Sequence, residues 1–329
     1  MYCVINGYGA VVRKKQNRFV VESEGESKEF PAVDLRQILL TDAAMITTGA
    51  LSLAAESGTD IAIIGRDGTP ICRFISCAGT GTAATRKNQV LFSQGEQAYH
   101  FISRIISAKI QNMGLLLQAI GRRKNDGLLI DEGQVIALSA AHLQQTGTLP
   151  ADAPHLRGIE GEASRRYFQA LTHVLPEDVY KGSRTHRPAG DVFNAALNYG
   201  YGILYHEVEK ACLIAGLEPG IGYLHADRYG KTPFVYDVIE QFRQPVIDRA
   251  IITLAVRGRI SSSDLDEKGF LTQDSRKVII GEVIGRLTGE RELNGINTTF
   301  TQLILNTMRS AVHTINEGKT FTPYIHRWR

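Results

Sequence analysis

The spacing of the apolar residues changes near residue 90, and this change divides the chain of 329 residues into two kinds of structure. Before it, short segments rich in β-branched residues are separated by Gly, Asn or Asp, which is typical of strands joined by tight turns. After it, apolar residues recur at three- and four-residue steps, which predicts amphipathic helices. We therefore predict an α+β protein in which a small, β-rich, sandwich-like N-terminal domain precedes a larger all-α domain.

The N-terminal region contains six segments that we interpret as strands. They read YCVINGY, AVVRKK, RFVVESE, AAMITTG, DIAIIGRDG and PICRFIS. One short helix interrupts them at residues 50–58, and we expect it to end at Gly58 because glycine readily adopts the left-handed conformation that closes a helix.

The composition shifts at CAGTGTAATRKNQ, residues 77–89. We place the β-rich domain at residues 1–77, a linker at 78–92 and the helical domain at 93–329. Gly79, Gly81 and Ala84 loosely match the GxGxxA pattern of dinucleotide-binding loops. That pattern needs a surrounding βαβ unit, which the flanking sequence does not predict, so we reject a dinucleotide site.

Composition excludes several classes of protein. No run of about 18 apolar residues predicts a membrane span, and the N-terminus lacks the pattern of a secretory signal. The four cysteines form no CxxC pair, which favours free thiols in a reducing cytoplasm. The net charge of +3 is small, but basic clusters at 121–124, 164–166 and 181–187 favour a polyanionic partner.

The sequence GYLHADRYGKTPFVYDVIEQFR places His225 shortly before two acids. A Thr-Pro pair at 232–233 is typical of a helix start, and the helix it opens carries Asp237 and Glu240 on one face. Arg243 follows three residues after Glu240, so an ordinary salt bridge on a solvated face also explains the second acid.

A further acid, Glu160, lies in the segment IEGEASRRYF. Its neighbour Glu162 has arginines three and four residues later, which suits a solvated pair. Glu160 instead shares its helical face with an apolar stripe of Ala163, Ser164, Tyr167 and Phe168. An unpaired charge is costly at such an edge, and either a metal ion or an arginine from elsewhere would compensate it.

Three blocks of this sequence together resemble the signature blocks of the CRISPR-associated Cas-one integrases. They are IEGEASRRYF, RPAGDVFNAALNYGYGILYHEVEKACLIAGLEPGIGYLH and FVYDVIEQFRQPVIDR, within residues 156–250. The resemblance implies that Glu160, His225 and Glu240 are catalytic and bind one divalent metal ion. Many relatives have Asp at the third position, whereas this chain has Glu. Asp237, one turn earlier, is then either a nearby support or a further metal ligand.

Two carboxylates and one imidazole suit Mn²⁺ or Mg²⁺, and the absence of a thiolate argues against structural zinc. The resemblance implies a metal-dependent DNA endonuclease and integrase of CRISPR adaptation, an antiviral defence. Such an enzyme joins the 3′-hydroxyl of a short duplex protospacer to the repeat array by transesterification. It also implies double-stranded DNA as a partner, a homodimer, and assembly with a Cas-two protein. The sequence leaves the dimer surface open, and we expect the β-rich domain to form it.

Two other functions stay open from the residues alone. One is a stand-alone metal-dependent nuclease acting on single-stranded or branched DNA; the other is a non-catalytic DNA-binding scaffold whose acids form salt bridges. Arg86, Arg184 and Lys231 are candidate phosphate contacts, with plain exposed charge as the alternative. The C-terminal TPYIHRWR is either a disordered basic end or a segment that docks on a partner or a phosphate.

Overall fold

The computed structural model describes residues 1–23, 25–74, 83–143, 147–186, 189–225 and 231–328. In the N-terminal part the elements are β1 Tyr2–Ile5, β2 Ala10–Lys15, β3 Arg18–Ser23, β4 Glu26–Pro31, β5 Gln37–Leu40, β6 Ala44–Ile46, α1 Thr48–Ser57, β7 Asp60–Ile64 and β8 Pro70–Phe74. They form two four-stranded sheets, ordered β1-β5-β7-β8 and β4-β3-β2-β6. The predicted α+β class with a sandwich-like N-terminal domain is confirmed.

The sheets combine parallel and antiparallel pairs. Strands β1, β5 and β7 are parallel, and β8 returns antiparallel to β7. In the second sheet β2 and β3 are antiparallel, as are β3 and β4, whereas β6 runs parallel to β2. Alternate residues turn inward, and Ile5, Val12, Phe19 and Ile38 belong to a core of their own between the sheets.

Helix α1 lies where the sequence predicts a helix. The Thr47 hydroxyl accepts a hydrogen bond from the Ala50 backbone N–H at 3.3 Å, which caps the first turn. Gly58 closes the helix with φ of 71°, in the left-handed conformation expected of it.

The remainder of the described chain is mostly helical. Its elements are α2 Ala83–Ser93, α3 Glu96–Lys124, α4 Gly127–Ser139, α5 Ala153–Ala170, α6 Val192–Ala215, α7 Pro233–Ile239, α8 Arg249–Val256, α9 Gln273–Thr288, β9 Arg291–Leu293, β10 Ile296–Thr298 and α10 Phe300–Glu317. Between α7 and α8 the chain makes a 3₁₀ turn, Glu240–Phe242, and one π-helical turn, Arg243–Asp248.

The hairpin of β9 and β10 is an addition to the predicted all-helical domain. Its strands pair antiparallel around Asn294 and Gly295, which have φ of 53° and 91°. An Asn-Gly pair favours this turn because both residues tolerate positive φ. The Asn-Gly pair therefore predicts a hairpin, which was overlooked because the surrounding segments have the spacing typical of helices.

Residues 75–82 lie outside the described part of the chain. They include Gly79 and Gly81 of the rejected dinucleotide motif and the first residues of the linker predicted at 78–92. The rest of that linker falls within α2, so the boundaries at 77 and 93 stay predictions.

Helix α3 is the long central element of the helical domain, and most of its length is buried. It packs backbone to backbone on α4, where Gly114 faces Gly133. A Cβ at Gly114 would lie only 2.3 Å from the Gly133 carbonyl oxygen. Only glycine allows this approach. No helix within the described ranges is long and apolar enough to cross a membrane.

The C-terminal segment docks on the helical domain of its own chain, so the alternative of a disordered end is wrong for the residues described. The Tyr324 backbone donates to Gln241 Oε1 at 2.8 Å and accepts from Asn112 Nδ2 at 3.0 Å. The His326 N–H donates to Asn112 Oδ1 at 2.8 Å. Phe321 packs on Phe101 with ring centroids 4.4 Å apart. Two buried amides thus bind the segment to α3 and to the turn that follows Glu240.

Candidate active site

The three predicted catalytic residues line one cavity of about 720 Å³, the site cavity. Glu160 comes from α5, His225 from the loop before α7, and Glu240 from the 3₁₀ turn after α7. Residues separated by up to 80 positions are therefore brought to one cavity by the packing of α3, α5 and α7.

Glu160 lies at the edge of the apolar stripe that the sequence predicts. Ala163, Tyr167 and Phe168 of its face are buried. The carboxylate accepts a hydrogen bond from the Ser164 hydroxyl at 2.8 Å and contacts the Lys109 ammonium at 2.5 Å. A basic side chain does compensate Glu160, as one alternative proposed, but it is a lysine of α3 rather than an arginine.

Glu240 shares the same lysine. Lys109 Nζ lies 2.5 Å from Glu240 Oε2, and Arg243 Nη2 lies 3.0 Å from Glu240 Oε1. Burial alone would raise the pKa of Glu240, but Arg243 and Lys109 outweigh burial and hold that pKa below its ordinary value. One ammonium group thus joins the two carboxylates across the cavity.

His225 is oriented by Asp237. Its Nδ1 lies 2.7 Å from Asp237 Oδ1, and the Asp237 side chain is completely buried. The same carboxylate accepts the backbone N–H groups of Tyr223, Leu224 and His225 at 2.7 to 3.1 Å. With Nδ1 engaged, Nε2 is the ring nitrogen left for a ligand in the cavity, an arrangement common for metal-binding histidines.

The helix start before Asp237 also matches its prediction in part. Thr232 and Pro233 occupy the N-cap and first helical positions of α7, but the Thr232 side chain does not cap the helix. Its hydroxyl instead contacts the Tyr205 hydroxyl.

Glu160, Glu240 and His225 supply the donor types that divalent cations take, and the Lys109 ammonium lies between the two carboxylates. In the described ranges, no three His, Cys, Asp or Glu side chains are arranged to hold an ion directly. Glu240 Oε2 is buried, and the Lys109 ammonium is the positive group that lies against it in the described structure. A buried carboxylate needs such a positive partner, and a divalent cation could serve in its place.

The candidate phosphate contacts differ in their surroundings. Arg86 is half-exposed and lies 3.5 Å from Glu218 on the surface. Arg184 lines the site cavity, donates to Asn198 Oδ1 at 2.6 Å, and lies between the rings of Phe168 and Tyr201 at 5.9 and 5.7 Å. Lys231 is exposed at a neighbouring cavity of about 470 Å³. Their contacts with DNA stay predictions.

Sequence reasoning missed Lys109. Its signal was present, since Lys109 occurs in the apolar run IISAKIQNMG, four residues after Ile105 and four before Met113. A lysine on the buried face of a helix needs a carboxylate partner. Which carboxylates it meets could not be predicted, because Glu160 lies 51 residues away and belongs to another helix.

Residues 3–284 match the family model of the CRISPR-associated protein Cas1. The chain belongs to the Cas1 family. It is 29% identical over 346 residues to the CRISPR-associated endonuclease Cas1 1 of Archaeoglobus fulgidus, covering 100% of both chains. The resemblance seen in the three sequence blocks is thereby confirmed over most of the chain.

Solved structures share the Cas1 fold. A casposase bound to an integration product matches with a TM-score of 0.85 at 20% identity, covering 100% of this chain and 95% of that one. A chain of a Cas6-RT-Cas1–Cas2 complex matches with a TM-score of 0.81 at 19% identity. That match covers 99% of this chain and 36% of the other. These likenesses establish a common architecture.

Proposed function

We propose that this Cas1-family protein is a divalent-metal-dependent DNA endonuclease and integrase of CRISPR adaptation. The observation that carries the proposal is the shared lysine: Glu160 and Glu240 come from different elements, yet both lie 2.5 Å from one ammonium group in a cavity that His225 also lines. The Archaeoglobus relative is named an endonuclease, and the casposase neighbour is bound to an integration product, which supports the same chemistry here.

Glu160, Glu240 and His225 Nε2 would hold Mn²⁺ or Mg²⁺. When bound, such an ion supplies positive charge that polarises a phosphoryl oxygen and orients an attacking hydroxyl. Lys109, which contacts both carboxylates in the metal-free protein, would yield its position to such an ion. Asp237 is assigned the orienting role rather than that of a ligand, because both its oxygens accept hydrogen bonds.

The cavity residues position the reacting strands. Arg184 and Arg243 both line the cavity, and their guanidinium groups suit the oxygens of one backbone phosphate. The 3′-hydroxyl oxygen of the incoming strand forms a bond to phosphorus, and the bond from that phosphorus to the 3′-oxygen of the repeat strand breaks. The proton of the attacking hydroxyl leaves to solvent, and the departing oxygen gains one. With water as nucleophile, the same exchange is hydrolysis.

The partners follow from the same function. We propose that the protein acts in the cytoplasm on double-stranded DNA, as a homodimer joined through the β-rich domain and assembled with a Cas-two protein. The fold shared with a chain of a Cas1–Cas2 complex supports that assembly.

The test uses a short duplex with free 3′-hydroxyls, a repeat-containing plasmid, Mn²⁺ and the Cas-two protein. We expect joined products from the wild type and none from Glu160→Gln or His225→Ala, with circular dichroism spectra unchanged. Glu162→Gln is the matched control, since Glu162 lies on the same helix but pairs with Arg165 on the surface. Cleaved but never joined DNA would favour the stand-alone nuclease. Wild-type joining by Glu160→Gln would refute the catalytic assignment.

A further inference from the structure

A carboxylate that the proposed mechanism does not use lies completely buried behind the site cavity, at Asp248. Its two oxygens accept hydrogen bonds from two helices, from the Tyr201 hydroxyl of α6 at 2.5 Å and from the Tyr167 hydroxyl of α5 at 3.0 Å. Burial raises the pKa of Asp248, and the two hydroxyls, followed by Arg243 and Arg184, oppose that rise. This carboxylate therefore joins α5 and α6 to the π-helical turn that precedes α8.

Tyr201 reaches from this carboxylate to the wall of the site cavity. Its half-buried side chain lines the cavity together with two arginines. The guanidinium group of Arg243 lies 4.8 Å from the centroid of the Tyr201 ring, and that of Arg184 lies 5.7 Å from it. Such cation–π contacts are favourable, and more so when water is excluded. A tyrosine that donates its hydroxyl proton to a carboxylate is also polarised, which makes its ring a better partner for a cation.

The π-helical turn at Arg243–Asp248 allows both of its end residues to contact Tyr201. Residues five positions apart lie on different faces of an α-helix, whereas the wider π-helical turn brings them to one face. Pro245 lacks the backbone N–H that would bond the Gln241 carbonyl in an α-helix. Asn112 Nδ2 donates to that carbonyl instead, at 3.0 Å. The sequence thus interrupts the α-helix at the position where Arg243 and Asp248 must face the same ring.

Arg243 connects Tyr201 to a proposed metal ligand. Its Nη2 lies 3.0 Å from Glu240 Oε1, whereas Lys109 lies against Glu240 Oε2. Arg243 Nε is buried and has no hydrogen-bond partner among the described residues, so the ring of Tyr201 is a second support for this guanidinium group. A cation that takes the place of Lys109 would leave the contact between Arg243 and Glu240 Oε1 intact. The orientation of the Glu240 carboxylate therefore depends on how Arg243 is held.

We propose that Tyr201 is a positioning residue of the site cavity: anchored by Asp248, its ring fixes the guanidinium group of Arg243, which fixes Glu240 for a metal ion. This inference rests on the proposed function, because it takes Glu240 as a ligand of that ion. Asp248 engages the Tyr201 hydroxyl, so Tyr201 acts through Arg243 rather than on the reacting atoms. Loss of a residue that orients a metal ligand typically weakens metal binding by about 10- to 100-fold.

The test measures Mn²⁺ binding by calorimetry to the full-length protein without DNA, so that no chemistry takes place. Tyr201→Leu removes the ring, and we expect its Mn²⁺ affinity to fall about tenfold below that of wild type. Tyr201→Phe keeps the ring but loses the hydrogen bond to Asp248, and we expect a loss of about threefold. Recovery of part of the affinity by phenylalanine is the result expected if the ring face holds Arg243.

Tyr167→Phe is the matched control, because it removes the other hydroxyl from the same carboxylate while its ring packs on Phe168. We expect it to lower the melting temperature as much as Tyr201→Phe does but to bind Mn²⁺ as wild type does. Equal Mn²⁺ affinities in Tyr201→Phe and Tyr167→Phe, or wild-type affinity in a folded Tyr201→Leu protein, would overturn the positioning role and leave the proposed function intact. If Tyr201→Leu does not fold, the two phenylalanine variants decide. Failure of the wild type to bind Mn²⁺ would overturn the proposed function itself.

Discussion

Charge is held differently in the site cavity and beside the docked C-terminal segment. In the cavity Lys109 contacts both Glu160 and Glu240, and Arg243 contacts Glu240 at 3.0 Å. Beside the C-terminal segment, Arg286 and Arg291 rest on the Phe300 ring and donate to backbone carbonyl oxygens, with no salt bridge in the described part of the chain. The difference shows two ways in which the fold holds a buried charge: by an opposite charge in the cavity, and by ring faces and carbonyl oxygens beside the C-terminal segment.

The largest effect on stability is expected from removing the lysine that balances the two carboxylates of the cavity. Lys109→Met leaves two carboxylates facing each other across a mostly buried space, so we expect the metal-free protein to lose about 3 kcal/mol of unfolding free energy. Denaturant unfolding in EDTA measures this loss. Lys124→Met, which changes an exposed lysine of the same helix, is the control and should change stability little.

Lys109→Met is also expected to change the affinity for metal. Because Mn²⁺ no longer has to displace an ammonium group, Lys109→Met should bind Mn²⁺ about tenfold more tightly than wild type in calorimetric titrations, a difference of about 1.4 kcal/mol. Mn²⁺ should also restore much of the lost stability. Equal affinities in the two proteins would show that Lys109 does not stand in the cation's place.

A second, smaller effect is expected at Asp237, whose carboxylate is buried behind the site rather than within it. Asp237→Asn weakens the bonds to three backbone N–H groups and to His225, so we expect a loss of about 2 kcal/mol in unfolding free energy. Metal affinity should fall by about 10- to 100-fold, as for other groups that orient a ligand. Asp274→Asn, at an exposed position of α9, is the control. A normal Mn²⁺ affinity in Asp237→Asn would remove Asp237 from the site.

The docked C-terminal segment contacts the turn that carries Glu240, and Asn112 tests how that segment is held. Asn112→Ala removes hydrogen bonds to the backbone of Gln241, Tyr324 and His326, which we expect to lower the unfolding free energy by about 1 to 3 kcal/mol. Hydrogen exchange at the Tyr324 and His326 amides should accelerate. The half-buried Asn88, whose amide bonds Asn316 rather than the C-terminal segment, is the control residue for a matched substitution, Asn88→Ala. Unchanged exchange would show that Asn112 does not hold the segment, and would leave Gln241 and the aromatic packing as its anchors.

The smallest effect is expected at the surface, where solvent screens the Arg166–Glu132 pair between α5 and α4. The hydrogen bond from Arg166 holds the pKa of Glu132 below its ordinary value in the folded protein. The stabilisation that this ion pair gives the folded protein is therefore present above the unfolded-state pKa of Glu132, about 4.3. It is lost as the pH falls through the pKa of Glu132 in the folded protein. Arg166→Gln should cost about 0.5 kcal/mol at pH 7 and nothing near pH 3. If Arg166→Gln lowers the unfolding free energy at pH 7 as much as Lys109→Met does, then burial does not make the ion pairs of the cavity stronger than this surface pair.

The fold was predictable where it follows from the local spacing of apolar residues. Alternating and helical spacing predicted the β-rich domain, the helical domain and α1 with its closing Gly58. The Asn294-Gly295 hairpin was equally local but was overlooked inside a helical region. The docking of Tyr324 could not be predicted, because it depends on two amides, Asn112 and Gln241, that are far apart in the chain.

The candidate site was predictable only where a signature or a helical face marked it. Glu160 was identified by its apolar face, and His225 and Glu240 by the resemblance to one family, and all three line one cavity. The role of Asp237 could not be chosen from spacing, since a residue three positions before Glu240 can point to the cavity or to the loop. Lys109 was missed because tertiary packing alone brings α3 between the two carboxylates.

The most direct measurement is a crystal structure of the protein soaked in Mn²⁺, with the anomalous signal used to locate the ion. We expect one peak about 2.0 to 2.3 Å from oxygens of Glu160 and Glu240 and from His225 Nε2, with Lys109 Nζ displaced from between the carboxylates. An ion bound elsewhere, or Lys109 still joining Glu160 to Glu240 at saturating Mn²⁺, would contradict this expectation.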